Sequence, residues 1–201
     1  MNGVLRTALV FCLVGSATSA FAHSPIMGIG GVFGGVLHAL LVPEHGLSLV
    51  ALGLVLGRQL PATRHKGMLI YAAALACGLI AAALAVGEAL APDILLAATG
   101  IMGVLIAAAW MPPFLGLPLA AIAGLAVALD SRPEGTSTEE AVRMLIGSGI
   151  GAAVALAVVA EASVFLKGDT RFIVARVAGS WIAAIAILVL SLRVVTWATV
   201  G

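Results

Sequence analysis

The sequence predicts an all-α, polytopic membrane helix bundle of about six transmembrane helices, with a kinked or re-entrant first segment and a cleavable signal peptide ahead of it. Three observations lead there. Of 201 residues, 62% are hydrophobic and 9% charged, against roughly 45–50% and about 25% in soluble proteins, so a water-soluble domain would expose large apolar patches. Twenty-four glycines beside an aromatic content of 5% fit helices packed through small residues and not an aromatic-girdled barrel. High apolar content with a net charge of +1 excludes intrinsic disorder, and the lack of a basic excess gives nucleic acid no footprint.

The elements follow in chain order. Residues 1–22 carry Arg6, an apolar core from Ala8 to Val14, and the small-residue end Ser19-Ala20-Phe21-Ala22, the pattern of a secretory signal peptide. Cleavage there leaves a mature chain of residues 23–201, read as one domain and beginning at His23. Cys12 leaves with the leader, and Cys77, among Ala, Leu and Gly, is expected to be a small packing residue. Ile26 to Leu60 is apolar but interrupted at Pro43-Glu44-His45; at about 52 Å as a straight helix it is too long for one span of about 30 Å and short for two. Five further spans are expected at about 67–86, 93–111, 114–129, 142–165 and 173–197. They must be helices, because lipid leaves no other open element with its backbone satisfied.

Charge fixes the orientation. Arg58, Arg64 and Lys66 form one basic loop and Lys167, Arg171 and Arg176 another, whereas Glu88, Asp93, Asp130, Glu134, Glu139 and Glu140 fall in the intervening loops. With both basic loops cytoplasmic, the segment 26–60 crosses once; two full crossings would instead place Arg58, Arg64 and Lys66 in the periplasm. The protein is then a multi-pass protein of a bacterial inner membrane, with its mature N-terminus periplasmic. Small-xxx-small spacings at Gly30/Gly34, Gly31/Gly35, Gly53/Gly57 and Gly147/Gly151 mark close helix approaches.

In so apolar a chain, an ionisable group at membrane depth is a functional-site hypothesis. His38, Glu44 and His45 lie around Pro43. In a straight helix the histidines would be about 10 Å apart, and a break at Pro43 brings such side chains together. Two imidazoles and a carboxylate suit a divalent transition metal. His23, as a free N-terminal residue with amine and imidazole, and Glu161, late in the fifth span, are secondary candidates, and the acidic loops would concentrate cations. There is no phosphate-binding loop, dinucleotide turn, H-E-x-x-H or nucleophile elbow, so the chain does not read as an enzyme, and no permanently bound cofactor is expected.

The leader, the N-terminal histidine, the compact Ala/Gly-rich spans and the run from Phe33 through His38 to Glu44-His45 resemble the HupE/UreJ family of small membrane permeases. That family's H-P-x-x-G-x-D-H signature stands here as His38-Ala39-Leu40-Leu41-Val42-Pro43-Glu44-His45. The histidine spacing and the acid are kept, the early proline and the glycine are not, and Glu replaces Asp. The resemblance implies that His38, Glu44 and His45 handle a nickel ion passing from periplasm to cytoplasm. The expected partners are the lipid bilayer, which the composition requires, and a second copy of the chain or metalloenzyme maturation proteins. Two rival readings are a non-transporting membrane subunit or assembly partner of a metalloenzyme or respiratory complex, and a haem or copper redox protein.

Overall fold

The computed structural model describes residues 29–87, 89–112, 114–133, 136–165 and 168–200. Its elements are α1 (Gly31–Leu41), α2 (Pro43–Gly57), α3 (Pro61–Ala83), α4 (Ala91–Ala107), α5 (Gly116–Leu129), α6 (Thr138–Phe165) and α7 (Gly168–Val200), with no strand among the described residues. The expected leader and His23 lie outside the described residues.

Every segment expected to span forms a helix, but their lengths divide them. α3, α6 and α7 are long and apolar enough to cross a membrane, and α1 with α2, bent by 68° at their junction, passes the same test as a pair. α4 and α5, at 17 and 14 residues, reach only about 26 and 21 Å against a hydrocarbon core of about 30 Å. Among the described residues there are therefore three to four candidate membrane spans by length and composition, where the apolar runs suggest six.

Proline chemistry makes the bend. Pro43 is the first residue of α2, a position where its missing N–H is no loss and its fixed φ suits the helix. The residue before a proline is pushed into extended backbone, and Val42 has φ −68° and ψ 117°. The Val42 N–H still closes the last turn of α1 on the His38 carbonyl at 3.0 Å, and Gly46 N–H opens α2 on the Val42 carbonyl at 3.0 Å.

α2 is the centre of the bundle. His45, Ser48, Leu49 and all of Ala51 to Gly57 are buried, and α2 meets every other described helix. Around it α3 packs on α5, α1 on α6 and α4 on α7. These contacts are made by small residues. A side chain at Gly35 or Gly147 would strike the backbone of Met144 or Val32 at the α1–α6 crossing, Gly103 and Gly179 press together at α4–α7, and Gly124 lies on the Tyr71 backbone at α3–α5. Gly53 and Gly57 do the same for α2 on α6. Large apolar side chains cover the exterior, with Leu69 70% and Trp181 68% exposed, around an interior that is also mainly apolar and encloses a few polar side chains such as the fully buried His45 and Thr99. An apolar exterior is what a lipid solvent requires. Cys77 belongs to this outer face and is exposed, a correction to its expected packing role: α3 buries the stripe Arg64, Gly67, Tyr71, Leu75, Gly78, Ala82 and turns Cys77 outward.

The chain has an acidic end and a basic end. Glu44, Asp93, Asp130 and Glu140 cluster where α2, α4 and α6 begin and α5 stops, and the Glu140 carboxylate accepts the Gly31 N–H that opens α1. At the other end Arg58 and Arg176 bond the Ile106 and Ala107 carbonyls at 3.5 and 2.9 Å, capping the C-terminus of α4, where positive charge is favoured. α3 and α4 end in Schellman turns with alanine in the left-handed position, Ala85 at φ 58° and Ala109 at φ 54°.

Two exchanges in opposite directions check this packing. Ala109→Gly relieves the left-handed alanine and is expected to raise stability by about 1 kcal/mol. Gly147→Ala forces a methyl onto the Val32 carbonyl and is expected to lower it by about 1–3 kcal/mol. Thermal unfolding in detergent, followed by circular dichroism, reads both.

Candidate functional site at the break of the first helix

The break at Val42 turns the first residues of α2 inward. His45, the third residue of α2, is fully buried, and its Nε2 lies 2.9 Å from Asp130 Oδ2, whose side chain is only 5% exposed. Asp130 is the C-cap of α5. An anion at the C-terminus of its own helix is unfavourable, yet here the carboxylate rests at the N-terminal turn of α2, where the dipole favours negative charge. The pair thus joins two helix ends of opposite polarity through one desolvated hydrogen bond.

A carboxylate on Nε2 fixes the ring proton there and leaves the Nδ1 lone pair available. His45 Nδ1 is buried and has no hydrogen-bond partner. The ring of His38, on the last turns of α1, stands edge-on to it with centroids 5.3 Å apart. Two residues whose positions a straight helix would set about 10 Å apart along its axis thus have their rings in contact across the bend.

Glu44 goes elsewhere. Its Oε1 takes Arg193 Nη2 at 2.7 Å, and Arg193 Nη1 stands 3.6 Å from Asp93 Oδ1. Adjacent residues on a helix point about 100° apart, so Glu44 faces α7 while His45 faces α5. The carboxylate beside the histidines is Asp130, a residue that the sequence alone places in an outer loop. The available signal was its position directly after the apolar run of α5, where a buried cap and a solvated loop look alike. Glu161 is also paired, accepting Arg64 Nε at 3.0 Å at the basic end, with Arg64 10% and Glu161 46% exposed in their side chains. It does not approach the histidines. His23, Glu88 and Glu134 lie outside the described residues. Among the described residues no three His, Cys, Asp or Glu side chains are gathered to hold a metal ion, so the expected set of His38, Glu44 and His45 is not assembled as a cage.

Compared with known protein families, with characterised proteins and with solved structures, the chain matches none.

Asp130→Ala leaves His45 Nε2 buried without a partner and is expected to destabilise the protein by about 1–3 kcal/mol. Asp130→Asn keeps an acceptor and is expected to cost less. Paired thermal unfolding of the two variants against wild type is the measurement.

Proposed function

We propose that the protein is a permease for a divalent transition-metal ion, nickel by its resemblance to the HupE/UreJ proteins with cobalt or zinc as alternatives, carrying the ion from periplasm to cytoplasm. The observation that carries this reading is His45: a fully buried imidazole, backed by Asp130 on one nitrogen, with its other nitrogen unpartnered beside a second histidine. Carboxylate-backed imidazole is the arrangement that raises ligand basicity and orients a histidine toward a metal. His38 and His45 supply two nitrogens and water completes the shell. Such an incomplete set suits a carrier, since binding must be weak enough to release. Glu44, tied to Arg193, helps draw cations to the acidic end, and His23 and Glu161 are at most accessory.

In this reading the broken pair and α3 to α7 make six crossings, with the basic end in the cytoplasm. The short α4 and α5 are accommodated because they lie against other helices, where local thinning and flanking residues absorb the mismatch. Cysteines introduced at Ala62 and at Ser137 in a Cys77→Ser background report the orientation. Impermeant maleimide added to intact cells is expected to label position 137 and spare position 62, and the reverse would invert the topology.

A second reading has an observation of its own. Because Glu44 is engaged by Arg193 and, among the described residues, no third ligand joins the histidines, a non-transporting membrane subunit with a purely structural His45–Asp130 pair also fits. Proteoliposomes loaded with a metal-sensitive dye separate the two. Wild type is expected to admit nickel, His45→Ala and His38→Ala to abolish the flux, and Asp130→Ala to weaken nickel affinity about tenfold or more. The exposed-site control Glu139→Gln is expected to behave as wild type. Equal dye response in wild type, His45→Ala and protein-free liposomes would leave the subunit reading.

A further inference from the structure

We propose that the inner faces of α2 and α3 form a hydrated polar track that binds a file of water molecules. It runs from His45–Asp130 at the acidic end, past Ser48 and Tyr71, to Arg64–Glu161 at the basic end. Ser48 and Tyr71 are each 1% exposed, and neither the Ser48 Oγ nor the Tyr71 hydroxyl has a hydrogen-bond partner. Four other buried hydroxyls behave differently: Thr99, Ser131, Ser148 and Ser163 each donate to a backbone carbonyl, those of Leu95, Val127, Gly35 and Ala160; among the described residues the Thr136 Oγ1, ahead of α6, is also buried without a partner. Helix backbone thus offers acceptors, and Ser48 does not take one. Tyr71 is the one tyrosine in the chain, where phenylalanine would pack equally well without a polar atom to satisfy.

Three of the unpartnered groups, on His45, Ser48 and Tyr71, stand in sequence along the bundle. Ser48 follows His45 by three residues, one turn inward on the same face of α2. On α3, Gly67 lies against Leu56 of α2, and Tyr71, one turn nearer the acidic end, falls at about the level of Leu52, the turn below Ser48. Arg64 is seven residues from Tyr71 on the same buried stripe of α3, about 10 Å further toward the basic end. Polar groups therefore recur about every one or two turns over about 20 Å of an otherwise apolar interior. An unsatisfied buried hydroxyl costs about 1–3 kcal/mol, and a lipid surround offers nothing to relieve it. Water with two to four partners does relieve it, and buried waters of this kind are integral to structures.

The occupancy of the track by water stands on these side chains alone. Its use as the route of a partly hydrated metal ion rests on the permease reading. Radiolytic hydroxyl-radical labelling of the full-length protein in lipid nanodiscs, read by mass spectrometry, tests the water. Tyr71 is expected to be oxidised at a rate comparable to exposed side chains, while Met102, fully buried and intrinsically more reactive, stays unlabelled. Ser48→Val is expected to reduce Tyr71 labelling several-fold. A Tyr71 as silent as Met102 overturns the track.

Nickel flux in proteoliposomes tests the route. Ser48→Ala and Tyr71→Phe are expected to slow flux several-fold without loss of thermal stability. Wild-type rates in both variants, where wild type itself transports, overturn the route while leaving the permease reading intact. Absence of flux in wild type removes the permease reading and with it the route, and the Tyr71 labelling still decides the water.

Discussion

The hydrogen bond between His45 and Asp130 is the constraint on which the interior depends. It joins the first turn of α2 to the last of α5, so the central helix cannot slide or rotate without stranding two buried polar groups. Removing one partner leaves the other buried and unsatisfied, which makes such a pair a strong determinant of register even where its net contribution is modest. The 68° bend is what allows it. Were α1 and α2 one straight helix, His45 and His38 would stack on one face two turns apart, and no neighbouring helix end would be needed to meet them.

Around that pair the bundle is held by close backbone contact. In lipid there is little hydrophobic force between helices, so association rests on dispersion and on small residues that let backbones approach. The glycines at the α1–α6, α4–α7, α3–α5 and α2–α6 crossings do this, and large apolar side chains are left to face outward. The polar side chains inside are few, and most are tied off: Glu44 to Arg193, Glu161 to Arg64, the interior serines to carbonyls. Among the described residues the unpartnered buried atoms of His45, Ser48 and Tyr71 follow one another along α2 and α3, and that of Thr136 lies ahead of α6.

Much of the fold is legible in the sequence because lipid simplifies it. Apolar runs become helices, Pro43 becomes the break, and the paired glycines become crossings. Span count is less legible, since a run such as 114–129 measures hydropathy and says nothing of where the helix winds, and α5 supplies only 14 residues. At the site, sequence spacing brought out His38 and His45 because both belong to one broken segment. It pointed to Glu44 for the same reason, and there adjacency misled: the neighbouring residue on a helix faces another way. Asp130 is 85 residues from His45, and no local pattern connects them. Which carboxylate meets an imidazole is decided by how helix ends dock.

The sharpest measurement is nickel K-edge X-ray absorption on the metal-loaded, full-length protein, compared with His45→Ala. Imidazole scattering in wild type that diminishes in the variant is the expected result, with Asp130 acting behind the ring and not as a direct ligand. A nickel shell with no imidazole contribution, or one unchanged by His45→Ala, would contradict the assignment of His45 as the residue that receives the ion.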